Sequence, residues 1–221
     1  MDARYGGAVP WKGEIAGFVR HRAGLALAMN GWMLRVLACV LTMVTLGGCG
    51  TPGMALCSAQ GRGTLDPDFT TRCYIPTDDK AGADVYLTDL PPELWRLDSD
   101  LAGISGTIVH VHLFLRPRAG KTPQVETASN LNIRYVVIGR GAVGAYAGGG
   151  FLLPSGTPGD ETFGGRIDRA SLRLARASEG FKDLLGPCEL SGRFRAERNE
   201  AAARLIEARM GQVMEMAGTK K

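Results

Sequence analysis

Two histidines separated by a single residue are the side chains of this chain best suited to hold a metal ion. His110 and His112 lie in the alternating apolar run Thr107–Leu115. Such alternation is typical of a β-strand, in which residues two apart point to the same face. Neutral imidazole is a common ligand of zinc and copper. The spacing therefore makes His110 and His112 a candidate metal pair.

A metal site built on this pair needs a further protein ligand. The sequence does not say which Asp, Glu or Cys side chain would supply it. The alternative is that both histidines lie on the less buried face of a sheet and form hydrogen bonds with their neighbours. Both interpretations stay open at the level of sequence.

The segment Gly139–Gly144 matches the glycine fingerprint of dinucleotide-binding proteins letter for letter. In that fingerprint the third glycine opens a helix whose N-terminus faces the pyrophosphate. Here the three glycines Gly148–Gly150 and then Pro154 follow, and these residues disfavour a helix. We therefore expect a glycine-rich hairpin that lets another strand approach closely, and we expect no cofactor.

The other reactive side chains do not form a recognisable catalytic set. The acidic pairs Asp78–Asp79, Asp98 with Asp100, and Asp160–Glu161 lack the spaced oxygen ligands of a calcium loop. No serine has a Gly-x-Ser-x-Gly context, and two histidines on one strand do not favour a triad. The arginines between residues 166 and 176 are expected to form a solvated face, with anionic head groups as an alternative partner. The sequence thus predicts that the protein is not an enzyme.

Several short strands must position these side chains. Hydrophobic alternation predicts strands over residues 85–87, 107–115, 131–138, 143–146, 163–177 and 188–197. Residues 163–177 also have helical spacing, but the glycines near their start and the neighbouring strands favour a strand. Pro91 and Pro92 predict a turn or a single helical turn through Trp95. Together these features predict a mainly β fold, an antiparallel β-sandwich or small barrel with a C-terminal α-helix.

The C-terminal helix has a clear start. Asn199 can cap a helix that runs to about Met216. Its apolar residues recur at helical spacing and would pack on the rest of the domain. The predicted packed stripe consists of Ala202, Leu205, Ile206, Met210 and Val213.

The tetrapeptide Leu46-Gly47-Gly48-Cys49 closes the apolar run Val36–Leu46, which follows Arg35. This layout resembles the lipobox and signal peptide of bacterial lipoproteins. The resemblance implies a diacylglyceryl thioether on Cys49, cleavage before that residue and acylation of the new N-terminus. Several acyl chains would then hold the protein to a membrane of the cell envelope, facing the periplasm or the exterior. Gly50 in place of Asp favours the outer membrane where one exists.

A retained transmembrane helix is the alternative, since Ala23–Gly48 is largely apolar. A spanning helix needs about 20 predominantly apolar residues, and Asn30 and Arg35 interrupt this stretch. A cleaved signal is therefore favoured, with Met29 or Met33 as the first residue of the translated chain.

The lipobox and the strand pattern divide the chain into four parts. Residues 1–48 would be an N-terminal extension and signal peptide, and residues 49–82 a lipidated tether. Residues 83–198 would form the β-domain, and residues 199–221 the C-terminal helix and tail. The tether is predicted because residues 50–80 are rich in Gly, Pro, Thr and Asp and poor in large apolar side chains.

Charge argues against nucleic acid as a partner. The whole chain has a net charge of +4, but 21 of its 26 basic and 20 of its 22 acidic side chains lie from Cys49 onward. The part after the signal is therefore almost neutral and has no excess of positive charge to follow a phosphate backbone.

Three cysteines would remain once the signal is removed and Cys49 is acylated. In an oxidising compartment Cys57 and Cys73 are the disulfide candidates by proximity, and closing that loop would stabilise the fold by about 3 kcal/mol. Cys188 begins an alternating strand and is expected to be a small buried side chain. A bridge between Cys73 and Cys188 is the alternative.

These features predict a membrane-anchored envelope protein that serves as a non-enzymatic binding or structural module. Its expected partners are membrane lipid, through acylated Cys49, and an envelope protein, glycan or lipid ligand. The alternative function is metal binding, or metal-dependent catalysis, with His110 and His112.

Overall fold

The computed structural model describes residues 53–78, 81–101, 103–117 and 129–218. Strands make up 51% of the structure, and one α-helix follows them. The strands are β1 Met54–Ser58, β2 Thr64–Leu65, β3 Thr71–Pro76, β4 Ala83–Thr88, β5 Ser105–Leu113, β6 Leu131–Gly139, β7 Ala142–Gly150, β8 Leu152–Ser155, β9 Thr162–Ala177 and β10 Cys188–Arg198. A 3₁₀ turn spans Pro92–Trp95, as the two prolines predicted, and helix α1 spans Glu200–Gly218.

The ten strands form one sheet that partly closes into a ring. The strand order is β2-β1-β10-β3-β4-β5-β6-β7-β9-β8, and β10 also pairs with β9. Seven strands, β3 to β7 with β9 and β10, therefore form the ring. This confirms the mainly β fold with a C-terminal helix, and of the two predicted closures the ring corresponds to the small barrel. One detail differs from an all-antiparallel sheet, because β10 and β3 pair in parallel over two residue pairs.

The long strand β9 makes this closure possible. Its 16 residues pair with β8 near the start and with β7 near the end, while β10 runs along its other edge. A bulge lies at Arg169, whose φ is 51°, and the Arg169 amide donates a hydrogen bond to Ser191 Oγ at 3.0 Å. Bulges bend a strand and increase its twist, so this one helps the sheet to close.

Apolar side chains fill two separate cores. One core lies inside the ring, where Val109, Val111 and Leu113 of β5 contribute side chains with no solvent exposure. The second lies on the outer face, where α1 packs over Ile108 of β5 and Val136 of β6. Both faces of β5 are therefore covered at its N-terminal end, as expected for a central strand.

Helix α1 begins as predicted. Asn199 Oδ1 accepts a hydrogen bond from the Ala202 amide at 3.0 Å, which is an N-cap. The predicted packed stripe is partly wrong, because Leu205 is 48% exposed and Ala202 is only partly buried. The face that packs on the sheet is centred about a hundred degrees away from Leu205. Its apolar members are Ala203, Ile206, Met210, Val213 and Ala217.

The segment predicted as a tether, residues 49–82, is instead part of the sheet where it is described. It contributes β1, β2 and β3. Met54 and Leu56 of β1 are buried inside the ring, and β1 pairs along β10. The composition of the segment misled because it has few large apolar residues. Strand β1 needs only Met54 and Leu56 at alternate positions to bury one face.

The glycine-rich segment forms a hairpin, as predicted. Arg140 and Gly141, with φ of 50° and 84°, make the two-residue turn between β6 and β7. A Cβ placed on Gly148 would collide with the carbonyl oxygen of Ser171 on β9. The missing side chain therefore lets β7 and β9 pair closely. Within the described ranges, we find no helix with both the length and the apolar character needed to cross a bilayer.

Candidate metal centre

The two histidines and an aspartate are brought together by the pairing of β4 with β5. His112 lies directly opposite Asp84, and His110 lies directly opposite Tyr86. Strand alternation sends Ala83 and Val85 into the core inside the ring and leaves Asp84 on the outer face. The three side chains therefore share that outer face, next to the part covered by α1.

Both imidazoles converge on one carboxylate oxygen. Asp84 Oδ1 lies 2.7 Å from His110 Nε2 and 2.8 Å from His112 Nδ1. With Asp84 ionised and no ion present, both ring nitrogens donate to it, so His110 carries its proton on Nε2 and His112 on Nδ1. An ion bound here would take the place of these two protons, and each neutral imidazole would then carry its proton on its other ring nitrogen. The three potential ligand atoms all lie within 4.8 Å of one another.

The site is half-buried and electrostatically coupled. The side chains of His110, Asp84 and His112 are 15%, 29% and 36% exposed. Burial by itself raises the pKa of Asp84, but the hydrogen bonds from the two histidines, together with their charge, outweigh it and lower the pKa below its ordinary value. The carboxylate is thus held ionised and available as a ligand.

Aromatic rings flank the pair. The Tyr86 ring stacks on the His110 ring, with centroids 4.7 Å apart and planes 7° apart. The centroid of the Phe114 ring lies 6.5 Å from that of the His112 ring. Burial raises the pKa of the Tyr86 hydroxyl, and the Glu207 carboxylate, which is hydrogen-bonded to that hydroxyl, raises it further. Tyr86 is therefore a neutral ring that restricts the orientation of the His110 imidazole.

Two imidazoles and one carboxylate form a donor set that suits divalent transition-metal ions. Nitrogen donors favour zinc, copper, iron and nickel, and a facial set of two histidines and one carboxylate leaves other coordination positions open. Both histidines had been singled out in the sequence, whereas Asp84 had not. Its signal was a lone charged residue between two apolar ones, directly before the predicted strand 85–87, but only strand pairing shows that it faces His112.

Cys57 and Cys73 lie far apart, and the disulfide predicted between them is wrong. Cys57, Cys73 and Cys188 are free thiols. Cys57 lies opposite Glu189 and Cys73 opposite Glu197, eight residues further along β10, which separates them by about 26 Å. A disulfide requires Cα atoms within about 7 Å. Nearness in sequence failed here because β1 and β3 pair with opposite ends of β10.

The alternative bridge, between Cys73 and Cys188, is excluded by the distance between these residues along β10. Cys188 begins β10, whereas Cys73 lies opposite Glu197 near its other end, about 30 Å away. Cys188 is buried inside the ring, as predicted, and Cys73 is buried under α1. Burial raises the pKa of each of these two thiols to about 11. Cys49 lies outside the described residues, so its lipidation stays a prediction.

The remaining sequence candidates are not drawn into this site. Asp98 forms an ion pair with Arg96 at 3.1 Å, and Asp160 Oδ2 accepts a hydrogen bond from the Thr157 amide. Asp79 lies outside the described residues. Four arginines of β9 have exposed side chains, as expected for a solvated face. They are Arg166, Arg169, Arg173 and Arg176.

We find no match for this chain among protein-family models, curated proteins or solved structures.

Proposed function

We propose that the protein is a non-enzymatic binding protein of the cell envelope that holds a divalent transition-metal ion with Asp84, His110 and His112. The observation that supports this best is the convergence of three potential ligand atoms within 4.8 Å. Their chemistry, two imidazole nitrogens and a carboxylate oxygen, matches the preference of zinc and its neighbours.

Exchange of an ion, rather than catalysis, fits the position of the ligands. Enzymes generally enclose their reactants in concave pockets. Here the ligands lie on the outer face of the ring, and His112 retains 36% of its side-chain exposure. An ion at this face would be directly reachable from solvent or from a partner protein.

Metal analysis of the purified full-length protein tests the metal site. After equilibration with Zn²⁺ and removal of free ion, we expect about one zinc per chain. His112→Ala and Asp84→Asn should each weaken zinc binding more than about 100-fold, since even residues that only support ligands contribute 10- to 100-fold. Asp68→Asn removes an exposed carboxylate in the loop between β2 and β3 and is the matched control.

The outcomes of this measurement are distinct. Zinc lost in both ligand variants and retained in Asp68→Asn supports the proposal. Equal zinc content in all four proteins, or none in the wild type, overturns it. In that case Asp84 serves only to satisfy the hydrogen bonds of two surface histidines.

The membrane part of the proposal rests on the lipobox resemblance of Leu46–Cys49. Cells that express the protein with radiolabelled palmitate should incorporate label into it. The label should be lost in a Cys49→Ala variant. Label that persists in this variant would contradict acylation at Cys49.

A further inference from the structure

We infer that the metal centre also recognises an oxyanion, a carboxylate or phosphate group, and that Arg134 on β6 is the residue that holds it. This inference rests on the proposed metal site and names the class of ligand that completes it. The observation that carries it is the register of β5 and β6. Arg134 lies directly opposite His110, and Asn132 lies directly opposite His112.

Register places both side chains on the same outer face as the metal ligands. Residues directly opposite in an antiparallel pair have Cβ atoms about 5 Å apart. Arg134 and Asn132 are exposed, whereas the residues between and beside them, Leu131, Ile133 and Tyr135, are buried inside the ring. The side chains of Arg134 and Asn132 therefore begin next to those of the two histidines, from where both can reach the metal ligands.

The charges around the metal ligands indicate the role of Arg134. A bound divalent cation has one carboxylate ligand, Asp84, which neutralises only half of its charge. Arg134 adds a further positive charge next to the ion, which by itself disfavours a cation. Arg173 lies two strands beyond Arg134, on β9, and Glu207 is hydrogen-bonded to the Tyr86 hydroxyl, so these two further charges are of opposite sign. An anion bound across the ion and Arg134 would offset the remaining positive charge, which a doubly charged phosphate cancels and a carboxylate halves.

Coordination chemistry and geometry agree with this ligand. Three protein ligands leave open positions, which an oxygen of an anion can occupy. A guanidinium presents a planar fork of N–H donors that binds a carboxylate or phosphate through two oxygens. One oxyanion can thus contact the ion with one oxygen and Arg134 with another.

The next strand leaves room for that anion. Ala147 on β7 lies opposite Arg134, and Gly149 lies opposite Asn132. Arg173 on β9 lies opposite Ala147, so a second guanidinium lies across this small residue. Arg134 is exposed, so its side chain is accessible from solvent.

Cobalt substitution tests the inference because the visible bands of Co²⁺ report its ligands. Full-length protein is loaded with Co²⁺ and titrated with acetate in one arm and with submillimolar inorganic phosphate in the other. We expect at least one anion to shift the spectrum with saturation. Arg134→Gln should weaken the binding of that anion on the order of 10- to 100-fold. Arg193→Gln, which removes an exposed arginine on β10, is the matched control.

Failure of this inference differs from failure of the metal site. If Co²⁺ binds wild type and Arg134→Gln equally but neither anion changes the spectrum, the oxyanion inference is wrong and the metal site stands. An anion affinity that is unchanged in Arg134→Gln refutes the role of Arg134. No Co²⁺ binding by the wild type overturns both proposals. Equal Co²⁺ affinity of the variants also shows that they are folded.

Discussion

The rings of Tyr86 and His110 stack almost in parallel, with centroids 4.7 Å apart and planes 7° apart. These two residues are direct cross-strand partners on β4 and β5. The stack fixes the plane of the imidazole. Asp84 Oδ1, which lies 2.7 Å from His110 Nε2, fixes Nε2 as the nitrogen that points towards the other two ligands. His110 is thus positioned from two sides before any ion binds, which reduces the entropy lost on binding.

We predict that Tyr86→Leu weakens zinc binding by about 10-fold, because a residue that orients a ligand contributes 10- to 100-fold. Tyr86→Phe keeps the stacked ring and loses only the hydroxyl that engages Glu207, so its affinity should stay close to wild type. Calorimetric titration with Zn²⁺ gives both values. Equal losses in the two variants would show that the hydroxyl, and not the ring, is what the site requires.

The lowered pKa of Asp84 predicts a specific response of stability to acid. A carboxyl whose folded-state pKa lies below its unfolded value of 3.8 stabilises the fold above that value. That stabilisation is lost as pH falls through the folded-state pKa. Asp84→Asn should therefore be less stable than the wild type at pH 5, and this difference should shrink towards pH 2.

Urea unfolding at a series of pH values, without metal, measures this difference. Asp68→Asn, at an exposed position, should follow the wild-type curve to within about 0.5 kcal/mol. A gap between Asp84→Asn and the wild type that stays constant from pH 5 to pH 2 would contradict the hydrogen-bonded carboxylate described above.

The three described cysteines should differ in reactivity. Cys57 is exposed, while Cys73 and Cys188 are buried and their pKa values are raised to about 11. A thiol reagent should therefore modify Cys57 quickly in the native protein and the other two only after unfolding, because the thiolate is the reactive form. Mass spectrometry of a digest locates the label. A disulfide-linked Cys57–Cys73 peptide in the unreduced protein would refute this arrangement.

The packing of α1 can be tested with neighbouring residues. Ile206 is 1% exposed against the sheet, whereas Leu205 is 48% exposed. Ile206→Ala should lower the free energy of unfolding by about 2–5 kcal/mol. Leu205→Ala, the control, should change it by about 0.5 kcal/mol or less. Urea denaturation measures both. Similar losses at Leu205 and Ile206 would instead support the stripe predicted from sequence, which contains both residues.

Local pattern predicted most of the strands and missed β8 and those at the start of the domain. Alternation over Thr107–Leu115 and Cys188–Glu197 was strong because many buried side chains fall on one face. Strand β1 has just five residues and is stabilised by pairing along β10, a partner more than 120 positions away. Such pairing leaves no trace in a window of neighbouring residues.

The amino-acid sequence by itself determined that His110 and His112 share a face, that Asn199 begins the last helix, and that the fold is mainly β. Each of these follows from the fixed periods of strands and helices, which act over a few residues. Only the tertiary structure decided that Asp84 is their third partner, that Arg134 lies beside them, and that Cys57 and Cys73 cannot meet. These relationships depend on which strands pair and in which register, and register is set by burial across the whole sheet.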